Sequence, residues 1–122
     1  LPMTTTKFGK YGEDLAARYL AAHGYKIIER NFRIRGGEID IIALEKNTLV
    51  IVEVKTRTSH MFGLPEESVT RFKLKFLERA AKFYRSSNAR KNLPLGERID
   101  VVAVDFTDAS EPKIHLIKNA SI

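Results

Sequence analysis

Residues 36–57 read GGEIDIIALEKNTLVIVEVKTR, and the fold turns on how this stretch pairs with itself. Two apolar runs, Ile39 to Leu44 and Leu49 to Val54, flank Glu45-Lys46-Asn47-Thr48, which predicts two β-strands joined by a tight turn. With Lys46 and Asn47 at the centre of the turn, Leu44 faces Leu49, Ile42 faces Ile51, Asp40 faces Glu53 and Glu38 faces Lys55. Side chains on a strand alternate between its faces. This register is therefore expected to put Glu38, Asp40, Glu53 and Lys55 on one surface of the sheet.

Opposed side chains sit about 4.5–5.5 Å apart at Cβ, and like charges so placed repel each other. A divalent cation reconciles them. Mg²⁺ prefers oxygen ligands, keeps several waters, and is usually held by one or two carboxylates together with substrate phosphate oxygens. Asp40 and Glu53 are the expected ligands. Lys55, two residues beyond Glu53, is placed to orient or deprotonate the attacking water, or to neutralise charge building on a phosphate. The pattern D-x12-E-x-K thus points to metal-dependent hydrolysis of phosphodiesters.

Outward from the hairpin, Tyr25 to Arg33 reads as a preceding strand, closed by the Gly36-Gly37 turn, so three antiparallel strands form a meander. Ahead of it, a helix is expected from a cap at Thr5 or Thr6 to about His23, with Gly24 as its stop. Phe8, Tyr11, Leu15, Tyr19 and Ala22 give it an apolar stripe. Beside them runs a small-residue edge, Gly9, Gly12, Glu13, Ala16 and Leu20, able to approach the sheet closely. Glu13 is either a further ligand of the metal or a first-turn carboxylate favoured by the helix dipole. After Arg57 comes a loop that borders the strand end bearing Lys55. In it His60 is an exposed residue or a proton-transfer group, and Ser59, with Thr56 and Arg57, suits phosphate oxygens.

Pro65, Glu66 and Glu67 make a favourable start for a second helix. Its stripe of Val69, Phe72, Phe76, Ala80 and Phe83, supported by Leu77 and Tyr84, is expected in the core. Arg71, Lys75, Arg79, Lys82 and Arg85 lie away from that stripe. They are either a solvated face or, with Arg35, contacts to phosphate; aromatic residues interleaved for base stacking are not expected. Ser86 to Gly96 reads as a connection. Arg98 to Phe106 is a nearly continuous apolar strand, expected to pair in parallel with the Lys55 strand through a right-handed crossover. Asp100 within it either supports the site or forms a salt bridge with Arg98 or a basic helix residue. Lys113 to Lys118 is a short last strand.

The chain has 122 residues, 43% hydrophobic and 30% charged, which fits one soluble domain over residues 1–122, with residues 1–6 a flexible or vector-derived N-terminus. Cysteine is absent, which excludes disulfides and Cys-based zinc sites and suits a cytoplasmic setting. No apolar run reaches the ~20 residues needed to cross a bilayer. The net charge of +6 suggests an anionic partner.

Several motifs recur together: Gly9-x-x-Gly12-Glu13-x-x-Ala16, Tyr25 with Arg30-Asn31, Gly37-Glu38-Ile39-Asp40, Val52-Glu53-Val54-Lys55-Thr56-Arg57 and Phe62-Gly63. Across about Lys7 to Val104 they resemble the small bacterial YraN-like family. Asp40 with Glu53-Val54-Lys55 resembles the PD-(D/E)xK signature of restriction-endonuclease-like nucleases, without its proline, and the family is similar to archaeal Holliday-junction resolvases. The resemblance implies a restriction-endonuclease-like core. This agrees with the α/β fold expected here, a mixed sheet of about five strands flanked by helices in the order αβββαβ plus a short last strand. It favours the ligand role for Glu13.

The resulting expectation is a Mg- or Mn-dependent endonuclease acting on DNA ahead of RNA, in branched or non-duplex form. Asp40, Glu53, the Val54 carbonyl and Glu13 would hold metal, with Lys55 as the activating residue. A homodimer is implied by the resolvase likeness. The competing readings are a non-catalytic nucleic-acid-binding or partner-docking module on the same fold, and an acidic cluster that is only a structural ion-pair network.

Overall fold

A computed structural model describes residues 5–58, 70–108 and 111–120, with Thr5, Thr6 and Arg90 described in backbone only. The order is α1 (Thr5–Ala22), β1 (Lys26–Ile34), β2 (Gly37–Glu45), β3 (Thr48–Arg57), α2 (Arg71–Ser87), a 3-10 turn (Ala89–Lys91), β4 (Gly96–Asp105) and β5 (Lys113–Ile117). It is the α/β arrangement expected, in one mixed sheet ordered β1-β2-β3-β4-β5. The hairpin forms in the expected register, from Glu45↔Thr48 through Ile42↔Ile51 to Ile41↔Val52. β3 and β4 run parallel over their length, from Thr48↔Gly96 to Arg57↔Asp105, because the strand–helix–strand passage through α2 returns the chain to the same end of the sheet. β5 closes the far edge antiparallel to β4. No helix among the described residues is long and apolar enough to cross a membrane.

A sheet apolar on both faces needs cover on both, and each helix supplies one. On one side Ile39, Ile42, Leu49 and Ile51 pack with Phe76, Leu77, Ala80, Ala81 and Tyr84 of α2. On the other, Ile41, Ala43, Val50 and Val52 pack with Ala16 and Leu20 of α1 and with Val102 and Val104 of β4.

Both helices present a different arc to the sheet from the stripes expected. In α1 the small-residue edge is inside: Gly12, Ala16 and Leu20 are buried, whereas Tyr11 and Ala22 are exposed. The larger rings pack sideways instead, Phe8 and Tyr11 on Phe106 at centroid separations of 5.3 and 5.5 Å. In α2 the core takes Phe76, Leu77, Ala80, Ala81 and Tyr84, and Phe72 and Phe83 point outward. α2 also begins at Arg71, capped by Thr70, whose hydroxyl accepts from the Lys73 N–H at 3.1 Å. The start expected at Pro65 to Glu67, together with Val69, Ser59, His60 and Phe62-Gly63, lies outside the described residues, as do the side chains of Thr5 and Thr6 expected to cap α1.

At the turn end of the hairpin the polar groups pair off fully. Asp100, buried within β4, accepts from the Tyr25 hydroxyl at 2.7 Å, from Arg98 Nε at 2.8 Å and from the Asn119 N–H at 3.0 Å. Arg98 also reaches Glu45 at 2.6 Å, which Lys118 meets at 3.0 Å. Of the two readings of Asp100, the Arg98 pair is the one formed. Burial and the neighbouring Asp100 hold the Tyr25 phenol far above its ordinary range.

Gly12 sets how closely α1 approaches the sheet, since a Cβ built there would meet Thr56 Oγ1 at 2.3 Å and Thr56 Cβ at 3.3 Å. Gly12→Ala is expected to destabilise by about 1–3 kcal/mol, although alanine is the better helix former. Thr56→Ala in the same chain should recover most of that loss. Urea unfolding of the single and double variants measures both, and a Gly12→Ala protein more stable than wild type would refute the close approach.

Candidate functional site

The strict alternation that should put four charges on one face breaks at Asp40. Ile39 packs on the α2 side and Ile41 on the α1 side, although two residues apart on a regular strand share a face. The break is matched across β1, where Asn31 takes a left-handed φ of 54° that asparagine tolerates better than most residues. β1 also shifts register between Ile27 and Glu29. The consequence is that Glu38 and Asp40 turn toward α1. Glu53 and Lys55 stay with Leu49 and Ile51 on the α2 side.

The β2–β3 ladder ends at Ile41↔Val52. Beyond it the Asp40 carboxylate takes the place of a backbone acceptor, its Oδ2 receiving the Val54 N–H at 2.8 Å. Into this opening α1 brings Glu13, one position along from its close contact at Gly12. The carboxylates of Glu13, Glu38 and Asp40 each offer an oxygen within 4.8 Å of the others. They line a cleft of about 550 Å³ with Lys10, Asn31 and Thr56.

Basic and amide groups from β1 orient two of the three. Arg30 Nη2 donates to Glu13 Oε1 at 3.0 Å and to Asp14 at 2.7 Å. Asn31 Nδ2 donates to Glu13 Oε2 at 3.1 Å and approaches Glu38 Oε1 at 3.4 Å. Arg33 Nε lies 3.2 Å from Glu38 Oε2, near enough for attraction but outside hydrogen-bond geometry, so that buried oxygen has no hydrogen bond.

Asp40 takes the Val54 N–H and lies against the Glu53 carboxylate. Burial first, and then the adjoining Glu53 carboxylate, push its carboxyl up to about 8, as expected of two acids sharing one low-dielectric site. Glu53 itself is only 5% exposed. Lys73 of α2 stands 3.3 Å from its Oε2, again without hydrogen-bond geometry.

Four of the residues expected at the site come together at the cleft or on it: Glu13, Asp40, Val54 and Thr56. Glu53 adjoins Asp40 from the far face. Lys55 is half-buried beside it on the α2 side, and the expected pairing of Glu38 with Lys55 is replaced by Glu38 with Arg33. Arg35, Arg71 and Lys75 are exposed and Arg57 is half-buried; Ser59 is outside the described residues. Sequence reasoning missed Lys10 on the cleft wall and Lys73 against Glu53. It did not identify Arg30, Asn31 and Arg33 as partners of carboxylates. A signal for Lys73 existed, because 73, 77, 80 and 84 follow the helical spacing of the buried face.

Comparison with known proteins places these features in a family. The model of Uncharacterised protein family UPF0102 matches residues 12–104. A UPF0102 protein of Geobacter metallireducens is 46% identical over 112 residues, covering 92% of this chain and 89% of its own. One from Caldicellulosiruptor saccharolyticus is 44% identical over 119 residues, 97% of this chain and 99% of that one. A third, from Thermodesulfovibrio yellowstonii, is 46% identical over 118 residues, 97% and 98% of the two chains.

The raised Asp40 carboxyl has a measurable consequence. A carboxyl whose folded pKa exceeds its unfolded one contributes stability that is present below the unfolded value and lost as pH rises through the folded one. The window here runs from 3.8 to about 8. Asp40→Asn keeps an oxygen for the Val54 N–H and offers Glu53 a donor in place of a charge. In EDTA the asparagine variant is expected to gain on wild type across that window, by about 1–2 kcal/mol at its upper end. Urea unfolding at several pH values tests this, and a difference that stays flat with pH would contradict it.

Proposed function

Taking as premise that this chain belongs to Uncharacterised protein family UPF0102, we propose that it is a divalent-cation-dependent endonuclease hydrolysing phosphodiester bonds in DNA, in branched or otherwise non-duplex form. The observation that carries this reading is the carboxylate cluster at the point where β2 and β3 part. Glu13, Glu38 and Asp40 converge within 4.8 Å with Glu53 behind them, and buried oxygens of Glu38 and Glu53 make no hydrogen bond. Arg30, Arg33 and Lys73 offset three of these charges from outside the cluster, but holding the carboxylates so close to one another is still costly.

The donor set fits Mg²⁺ or Mn²⁺, since every group is a hard oxygen and the cleft leaves room for waters and phosphate oxygens. Asp40 and Glu53, with the Val54 carbonyl, would hold the ion, and Glu13 would complete the site from α1. When bound, such an ion polarises the phosphoryl group and acidifies a water. The protein's own groups do the rest. The Val54 N–H fixes the Asp40 carboxylate, and Arg30 with Asn31 fixes Glu13, so the oxygens converge before substrate arrives. Lys10, on the cleft wall, attracts the phosphodiester. Lys55, in no ion pair among the described residues, orients or deprotonates the attacking water. Lys73 offsets the Glu53 charge from the other side.

A binding module without turnover is the second reading. It is favoured by the completeness of the Arg30–Glu13–Asn31 and Arg33–Glu38 contacts, which partly neutralise two carboxylates by themselves.

Cleavage of end-labelled single-stranded, flapped and four-way-junction DNA in Mg²⁺, Mn²⁺ or EDTA separates the two. The nuclease reading expects metal-dependent cutting that Asp40→Ala/Glu53→Ala abolishes. It expects Lys55→Ala to lower the rate by about 10²–10⁴-fold with binding nearly unchanged. Salt-sensitive binding that is indifferent to Mg²⁺ and to Asp40→Ala, with no cutting of any substrate, would replace it with the binding module.

A further inference from the structure

The outer face of α2 has a composition that packing does not explain. Phe72 is 84% and Phe83 57% exposed, and neither belongs to a core cluster. With 100° between successive helical residues, Phe72, Arg79 and Phe83 fall within about 40° of arc, and Lys75 lies about 60° from Phe72. Lys82 adjoins Phe83, and Lys75, Arg79 and Lys82 are all exposed. The two rings stand about 16 Å apart along the axis, eleven residues at about 1.5 Å each. Two members of the strip are held in place: Phe83 leans on Phe32 at 6.4 Å between centroids, and the Arg79 guanidinium lies over the inward-facing Phe76 ring at 5.3 Å. Lys73, next in sequence to Phe72, reaches Glu53, so the Phe72 end of the strip adjoins the carboxylate site.

Flat apolar faces set among cations match a ligand that is planar and polyanionic. A second copy of the same strip would be repelled by its own charges, and an uncharged apolar partner would leave three cations unpaired. A duplex keeps its base faces stacked internally, whereas an unpaired strand exposes them for stacking on aromatic rings.

We propose that the exposed face of α2 binds unpaired nucleic acid, with bases stacked on Phe72 and Phe83 and phosphates on Lys75, Arg79 and Lys82, and leads that strand toward the Glu53 side of the carboxylate site. This rests on the nucleic-acid reading above and deepens it, by naming an unpaired segment as what the protein engages beside the site.

The chain contains no tryptophan, so Phe72→Trp and Phe83→Trp each introduce a single reporter. Each is titrated in EDTA with a short oligothymidylate and with a duplex of equal length. Anisotropy of the same labelled nucleic acids is followed with wild type and with Phe72→Ala/Phe83→Ala. The expected result is quenching of both reporters by the single strand, in step with anisotropy. The double alanine variant should bind the single strand roughly 10- to 100-fold more weakly, with duplex affinity changed less than about twofold. Three phosphate contacts on a single strand predict a log–log salt slope of about −2. Single-strand binding seen by anisotropy, with neither quenching nor loss in the alanine variant, would place the strand elsewhere and overturn this proposal while leaving nucleic-acid binding intact. Absence of binding to either nucleic acid would overturn both. Tryptophan emission that shifts with protein concentration alone would assign the strip to self-association.

Discussion

The Val54 N–H donates to the Asp40 carboxylate at 2.8 Å, and the geometry of the cleft depends on that bond. A strand pair that simply continued would satisfy this N–H with a backbone carbonyl and close the gap between β2 and β3. Substituting a side-chain oxygen lets the two strands part after Ile41↔Val52 without leaving a buried donor unpaired, which would cost about 1–3 kcal/mol. β3 stays in the sheet after parting from β2, because its parallel pairing to β4 on the other edge continues to Arg57↔Asp105. The opening is where Glu13 and Glu38 enter.

That arrangement concentrates negative charge where water is scarce. The contrast with the other end of the sheet is informative. There the buried Asp100 collects three donors, one of them the Arg98 guanidinium, and Arg98 and Lys118 share Glu45, so each carboxylate has its counter-charge within the chain. At the cleft end, Asp40 faces another carboxylate and holds its proton well above the usual range, while oxygens of Glu38 and Glu53 stay without hydrogen bonds. Perturbed groups of this kind cluster at functional sites. One fold therefore contains a network that closes on itself and a cluster of carboxylates that the chain's own cations offset only in part.

Much of this was legible in advance. Alternation and the Lys46-Asn47 turn specify the hairpin register, because a one-residue slip would move every buried side chain of the slipped strand to the opposite face of the sheet, under the other helix. The apolar Val101–Val104 run, following a helix, specifies a parallel partner for β3. The small residues of α1 signal a close approach, and Gly12 makes it against Thr56. Less was legible where a strand departs from its period. The left-handed Asn31 and the break at Asp40 are correlated across two strands, and no local pattern in either one announces them. Lys73 escaped notice because a charge on an inner helix face reads as an error until the buried Glu53 beneath it is known.

The helices show the same division. Apolar residues at 72, 76, 77, 80, 81, 83 and 84 cover more than one arc of α2, so periodicity alone admits several buried faces. The sheet chooses Phe76, Leu77, Ala80, Ala81 and Tyr84 because these reach Ile39, Ile42, Leu49 and Ile51, and Phe72 and Phe83 are left outside. The sequence by itself determined the elements, their order, the hairpin register and the acidic and basic residues available for chemistry, since these follow from local period, turn chemistry and composition. Only the tertiary structure decided which carboxylates converge and which rings face solvent, because both depend on where a strand breaks its alternation and how a helix rolls on the sheet, and those are settled by contacts between segments far apart in the chain.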